Sequence, residues 1–204
     1  MSDLAIVIPA YNAHAQIGGV IESLPPDLRA HAFIIDDGST PPLHHPTARI
    51  LRHPTNRGYG ATQKTGYAAV IAAGYARVVM LHGDGQYDTA DTLALADALE
   101  HADAVIGSRF LVDRGRVIPW WRRWANRGLT AAANLRYGQH ISELHSGSRA
   151  FRTRALAEMP LADFSDDYVF DQQVLVHLLA RRRPIAERPA SAAYDDTVQS
   201  IALG

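Results

Sequence analysis

Between Val78 and Asp88 the chain passes from an apolar run, Val78-Val79-Met80-Leu81, straight into His82-Gly83-Asp84-Gly85-Gln86-Tyr87-Asp88. His82, Asp84, Gln86 and Asp88 offer imidazole nitrogen and carboxylate or amide oxygen, the atoms that bind divalent cations and polar ligands. Gly83 and Gly85 remove side chains between them, so that backbone and a bound group can approach closely. A buried strand that empties into such a cluster holds it at a sheet edge, where open α/β folds bind ligands. The same break recurs three times. Leu4–Pro9 runs into Tyr11-Asn12, Ala32–Ile35 into Asp36-Asp37-Gly38-Ser39, and Ala104–Ile106 into Gly107-Ser108-Arg109-Phe110. In a parallel sheet the C-terminal strand ends share one edge. Asn12, Asp36/Asp37, Asp84 and Arg109 are therefore expected to converge on one crevice.

The elements that must position these residues alternate between strand and helix. Ile17, Val20, Ile21 and Leu24 recur at helical spacing up to the stop at Pro25-Pro26. Ala48–Leu51 reads as a third short strand. Asn56-Arg57-Gly58-Tyr59-Gly60 opens an Ala-rich helix to about Ala73, and Thr89–Glu100 reads as a helix with Leu93, Ala96 and Leu99 inward. This order predicts an α/β fold with a mostly parallel, doubly covered sheet and right-handed crossovers. From Val112 the character changes. Arg114, Arg116, Arg122, Arg123 and Arg127 interleave with Trp120, Trp121 and Trp124, the chain's three tryptophans, ahead of a helix to about Leu135. That segment fits either an amphipathic helix with its aromatic face in the core or an interfacial element, where tryptophan with arginine favours lipid headgroups. Glu143–Phe151 reads as a turn and short strand, Asp166–Ala180 as a helix and Pro184–Pro189 as a last strand.

Composition narrows the function classes. The 204 residues are 47% hydrophobic and 20% charged with a net charge of −1, which suits one globular domain, 1–204, and leaves no electrostatic footprint for nucleic acid. With no cysteine, disulfides, zinc–thiolate sites and thiol catalysis are excluded. No leader and no apolar run near the roughly 20 residues of a bilayer span are visible. The expectation is a cytoplasmic protein, with peripheral contact to the inner membrane face through 112–127 left open. No G-x-G-x-x-G follows the first strand, and Lys64-Thr65 is preceded by Gln63 rather than the glycine of a P-loop, which disfavours a dehydrogenase and a P-loop NTPase.

Taken together, VIPAYN (7–12), DDGS (36–39), NRGYGAT (56–62), HGDGQYD (82–88), GSRF (107–110), SGSRAF (146–151) and FDQQVL (170–175) resemble a family 2 glycosyltransferase of the GT-A fold. The similarity is to the polyprenyl-phosphate mannose or glucose synthases, and it covers about residues 4–190. It implies a Rossmann-like nucleotide-binding half, about 1–111, and an acceptor half, about 112–204. By that resemblance Pro9, Tyr11, Asn12, Asp36, Asp37, Gly38 and Ser39 form the nucleoside pocket. Asn56, Gly58 and Gly60 would set backbone beside the diphosphate at a helix N-terminus, with Lys64 and Arg127 as further donor-binding residues. A divalent cation, Mn²⁺ or Mg²⁺, would sit on Asp84 and Gln86. The family's metal segment carries Asp-x-Asp-x-Gln, and His82 stands here in the first position. Either His82 ligates Mn²⁺, since imidazole suits Mg²⁺ poorly, or it faces the sugar or diphosphate while Asp84 carries the metal.

The implied reaction is inverting transfer of a hexose from a UDP- or GDP-sugar to a polyprenyl phosphate or another hydroxyl acceptor. Arg109, with one of Arg122, Arg123 or Arg127, would neutralise the leaving diphosphate or an acceptor phosphate. A lipid phosphate arrives anionic and needs no strong base, whereas a hydroxyl does, with Asp171, Asp167 and Glu143 as candidates. Ser148 stands where relatives often carry a bulky aromatic, so the acceptor is not carried across from them. A nucleotidyltransferase and a nucleotide-sugar-binding relative without turnover are the alternatives, and a homo-oligomer is left open.

Overall fold

A computed structural model of the chain describes residues 3–111, 120–138, 140–144 and 146–191. The Arg114/Arg116 portion of the Arg/Trp segment lies outside the described residues, as do the side chains of Trp120, Trp121, Arg122 and Arg123. A seven-stranded sheet runs through the molecule. Its strands are β1 (Leu4–Ala10), β2 (Ala32–Asp36), β3 (Arg49–Arg52), β4 (Arg77–Met80), β5 (Ala104–Ser108), β6 (Arg149–Arg152) and β7 (Ile185–Pro189), in spatial order β3-β2-β1-β4-β6-β5-β7. Every pairing is parallel except the two made by β6, which runs antiparallel to β4 and β5.

Alternation along β1 builds the two-sided core. Ala5 and Val7 point to one layer with Phe33, Tyr67, Phe151 and Phe170, while Ile6 and Ile8 point to the other with Ile17, Ile21 and Leu24. Each fully buried Ile or Val contributes roughly 1.5–3 kcal/mol against exposure, which makes this the most strongly fixed strand. The first layer holds α3 (Tyr59–Ala72) and, C-terminal to it, α7 (Thr153–Ala157) and α8 (Val169–Ala180). In sequence, α1 (Ile17–Glu22) and α2 (Pro26–Arg29) precede α3, and α4 (Thr89–Leu93), α5 (Leu95–Ala98) and α6 (Trp120–Tyr137) lie between α3 and α7.

Two expectations change on folding. The helix read as Thr89–Glu100 is broken at Ala94 into α4 and α5. Leu93 and Leu95 lie two apart and cannot share a helical face; the break lets Leu93 pack toward Ile6 and Ile8 and Leu95 toward Leu4, Val79 and Val105. The helix read from Asp166 begins at Val169, because residues 164–168 serve as a wall described below. Among the described residues no helix is long and apolar enough to cross a membrane.

Candidate functional site

The parallel ladder continues past the strand ends and sets the site. The N–H of Asp37 donates to Ala10 O (2.9 Å), that of Leu81 to Val7 O (3.0 Å) and that of Gly83 to Pro9 O (3.3 Å). The loops after β1, β2 and β4 are thereby stitched side by side. Gly83 is required for this: a Cβ there would meet Pro9 O at 2.8 Å and the Ala10 side chain at 3.2 Å, so its smallness serves packing on β1. Gly85 is needed for its backbone, at φ +71°.

A cleft of about 440 Å³ opens over these loops. Pro9, Tyr11, Asn12, Asp37, Asn56 and Gly58 line one end, and His82, Asp84 and Gln86 line the other. Asp84 Oδ1 accepts the Gln86 N–H (3.0 Å), and its second oxygen has no hydrogen-bond partner among the described residues. Asp37 accepts the N–H groups of Arg57 and Gly58 (both 2.9 Å) and His53 Nδ1–H (2.6 Å), which fixes the NRGYG loop against the cleft. Asn12, at φ +51°, donates its N–H to Ser39 Oγ (2.8 Å) and accepts the Thr40 N–H at its amide oxygen (3.1 Å). Ser39 thus acts by holding Asn12.

Rings form a continuous stack along the wall. Tyr168 lies 4.9 Å from Tyr59, Tyr59 5.8 Å from His82, and His82 4.9 Å from Tyr87, with interplanar angles of 23°, 21° and 29°. Burial lowers the His82 pKa below its ordinary 6.5, outweighing the nearby Asp84 and Asp171 carboxylates, so the imidazole is neutral at pH 7. Its Nε2 faces Gly147, where a Cβ would stand 2.4 Å away, and lies 3.5 Å from the Tyr59 hydroxyl. Burial first, and the Asp171 charge second, push the Tyr59 hydroxyl well above its ordinary range; it keeps its proton and donates a hydrogen bond to Asp171 Oδ2 (3.3 Å).

Several residues expected at the ligand are instead held by the protein's own groups. Asp36 is fully buried and accepts the N–H groups of Ser39 (2.9 Å) and Leu43 (3.1 Å) and a guanidinium N–H of Arg52. Burial alone would raise its pKa; those hydrogen bonds more than reverse this, and the carboxyl ionises below the ordinary 3.8. At the N-terminus of α3, Asn56 and Gly58 line the cleft, while the N–H groups of Gly60 (2.7 Å) and Ala61 (3.2 Å) donate to Asp166 O, and a Cβ on Gly60 would meet Ser165 O at 2.5 Å. Lys64 donates to Phe164 O and Asp166 Oδ1 (2.9 Å for the latter), anchoring the same 164–167 stretch.

Arg109 and Glu143 form an ion pair with each other. Glu143 is fully buried and accepts the Arg109 N–H (2.8 Å), Nε–H (2.9 Å) and an Nη2–H. Neither lines the cleft, because β6 stands between β4 and β5. Asp171 accepts from Gln63 (2.8 Å) and Tyr59 and pairs with Arg149 (3.6 Å), a guanidinium only 1% exposed that also donates to Ser146 O, Leu144 O and Asp171 O. Arg127 lies over the Phe110 ring at 5.4 Å, away from the cleft. Asp167 does line the cleft, but hydrogen bonds with Ser165 and from the Val169 N–H hold its carboxyl below the ordinary 3.8.

Residues 5–159 match the family model "Glycosyl transferase family 2". The chain belongs to glycosyl transferase family 2. It is 30% identical over 180 residues to Glycosyltransferase AglJ of Haloferax volcanii, covering 87% of this chain and 59% of that one, so it spans less than two thirds of that relative. An uncharacterised protein of Methanocaldococcus jannaschii is 25% identical over 203 residues, covering 95% of this chain and 83% of the other. The GT-A fold is seen in glucosyl-3-phosphoglycerate synthase of Mycobacterium tuberculosis, solved with Mn²⁺, UDP and glucosyl-3-phosphoglycerate: TM-score 0.68, 21% identity, 94% of this chain and 72% of that one. The same synthase has been solved with Mg²⁺ and UDP (TM-score 0.65, 20% identity, 94% and 72%).

For this family 2 chain the sequence reading missed three contributors. They are Tyr59, Tyr168 and Arg149. Tyr168 and Asp171 carried a usable signal: three apart at a helix start, they share a face, and both reach Tyr59. Arg149 carried none, since its charge partner, Asp171, lies 22 positions away in another element.

Proposed function

We propose that the chain is a single-domain, inverting, metal-dependent hexosyltransferase that takes its sugar from a UDP- or GDP-linked donor, acts in the cytoplasm and transfers to a phosphate acceptor such as polyprenyl phosphate. One observation carries this reading: Asp84 and Gln86 share a single cleft with Asn12, Asp37 and Asn56 where three parallel strands end. Pro9, Tyr11, Asn12 and Asp37 are suited to the nucleoside, with Asp36 and Ser39 positioning that loop from behind.

Among the described residues no group of three or more His, Cys, Asp or Glu side chains could hold a metal ion. That donor set fits a hard cation held by one carboxylate and completed by substrate phosphates, the usual arrangement for Mg²⁺ and accessible to Mn²⁺. Asp84, through its unpartnered oxygen, and Gln86 would hold it; His82, with Nε2 turned to Gly147, is better placed as a neutral wall of the sugar pocket. When bound, the cation supplies neutralisation of charge developing on the leaving diphosphate.

The residues also favour an acceptor that arrives anionic. Asp171 and Glu143 are tied to arginines, and Asp167 ionises below its ordinary range, which makes it a weak base. A phosphate oxygen needs none of them. The test is a thermal-shift and transfer panel: UDP and GDP with and without Mn²⁺, then UDP- and GDP-hexoses with polyprenyl phosphate or phosphoglycerate as acceptors. One nucleotide should raise the midpoint only with Mn²⁺, by about 2.7 kcal/mol of stability at a hundredfold excess over Kd. Asp84→Ala should abolish that increment and lower turnover on the order of 10²–10³-fold. Metal-independent shifts unchanged in Asp84→Ala would refute the metal assignment, tight binding without turnover would identify a binding relative, and faster transfer to phosphoglycerate would refute the lipid acceptor.

A further inference from the structure

Among its described side chains the longest helix, α6, packs on one side. Thr130 is buried, Ala133 and Tyr137 sit against Ile106, Ile141, Leu144, Leu175 and Leu179, and Asn134 bonds both the N–H (3.0 Å) and the carbonyl (2.7 Å) of Ile141. The opposite side carries Trp124, 67% exposed, and Leu135, 89% exposed. These are eleven positions apart, so a period of 3.6 residues returns them to one face roughly 20° out of line. Ala131, exposed, falls on the same line, exposed Ala132 stands beside it, and Leu129, 59% exposed, lies about 120° round the helix from Leu135. Single exposed apolar residues are ordinary, but a contiguous exposed face running from a tryptophan through Ala131 to Leu135, with arginines on its flanks, is an interaction surface.

Charge identifies its partner. The 18 residues of α6 contain four arginines (Arg122, Arg123, Arg127 and Arg136) and no aspartate or glutamate, in a chain whose net charge is −1. Arg127 and Arg136 are exposed on the flanks of the apolar face. A symmetric pairing of two copies through this face would bring arginines together with no acid to answer them. An anionic bilayer supplies both halves of the complement: acyl chain for Trp124 and Leu135, and headgroup phosphate for the arginines.

We propose that the exposed face of α6 docks the protein on an anionic lipid surface. This goes beyond the transfer reaction and does not depend on it, since no residue of the face lines the cleft. Flotation of the purified full chain, without nucleotide, with vesicles of pure phosphatidylcholine and with vesicles containing phosphatidylglycerol provides the test. The chain should float with the anionic vesicles only, and added salt should release it. Because all three tryptophans lie within 120–124, their emission should shift to shorter wavelength on binding. Leu135→Glu should weaken binding at least tenfold, and Arg136→Glu on the order of fivefold or more. Both positions are exposed, so the melting midpoint should not change. Equal binding to neutral vesicles, or no loss in Leu135→Glu, overturns the proposal. So does a dimer in size-exclusion chromatography that Leu135→Glu converts to monomer, which assigns the face to a second copy. A failed donor assay with intact vesicle binding would sink the enzymatic reading alone, and the converse would sink only this one.

Discussion

Asp84 and Asp171 flank the same stack of rings, yet their neighbours give them opposite characters. Asp84 faces the cleft with one hydrogen bond from the protein, the Gln86 N–H. Asp171 lies behind the wall and is held by Gln63, Tyr59 and the buried Arg149. The same division separates Asp84 from Asp36 and Glu143, whose oxygens are taken by Arg52 and Arg109, while Asp37 lines the cleft with its oxygens engaged by His53 and the Arg57 and Gly58 N–H groups. A carboxylate at a strand end is therefore available to a ligand only where the fold leaves it without a cationic partner. The floor of the cleft is set by backbone ladders that leave side chains pointing outward. The wall is set by charged side chains that use one another up.

The contrast predicts a sharp split between stability and activity. Arg149→Ala leaves Asp171 buried without its charge partner and should cost about 3–5 kcal/mol, read as a lowered urea midpoint with unchanged slope; a loss below about 1 kcal/mol would mean the wall does not rest on this pair. Asp36→Asn should cost about 1.5–3 kcal/mol at pH 7 through weakened hydrogen bonds to a charged group. Because the Asp36 pKa is depressed in the folded state, its contribution is full above the unfolded value of 3.8 and is lost as pH falls through the lower folded value. The gap between wild type and Asp36→Asn in midpoint-against-pH curves should begin to narrow below about pH 3.8 and go on narrowing as pH falls, and a gap that does not narrow would exclude this origin.

Smaller effects sharpen the picture at the cleft itself. Gly60→Val places a side chain against the Ser165 and Asp166 backbone and should cost about 1–3 kcal/mol, while displacing Tyr168 from Tyr59 and weakening nucleotide binding at the same time. Unchanged nucleotide affinity in a folded Gly60→Val protein would detach the 164–168 stretch from the site. Asp84→Ala should leave the urea midpoint within about 0.5 kcal/mol of wild type, since it removes no buried partner. A larger loss would place Asp84 with the structural carboxylates.

The amino-acid sequence by itself determined the alternation of strand and helix, the parallel sheet and the placing of Asn12, Asp37 and Asp84 at one edge. These follow from local periodicity and from the rule that parallel strands end together, and neither needs distant contacts. It could not determine which polar residues face a ligand. Arg109 and Glu143 are 34 positions apart, and Asp171 meets Gln63 across 108. Such pairings form only when distant segments meet, and partner and burial then decide whether a charge is spent or free. The insertion of antiparallel β6 between β4 and β5 was equally invisible, because strand order is a property of the sheet rather than of any stretch within it. That one insertion keeps Arg109 out of a cleft that its place after a strand had promised it.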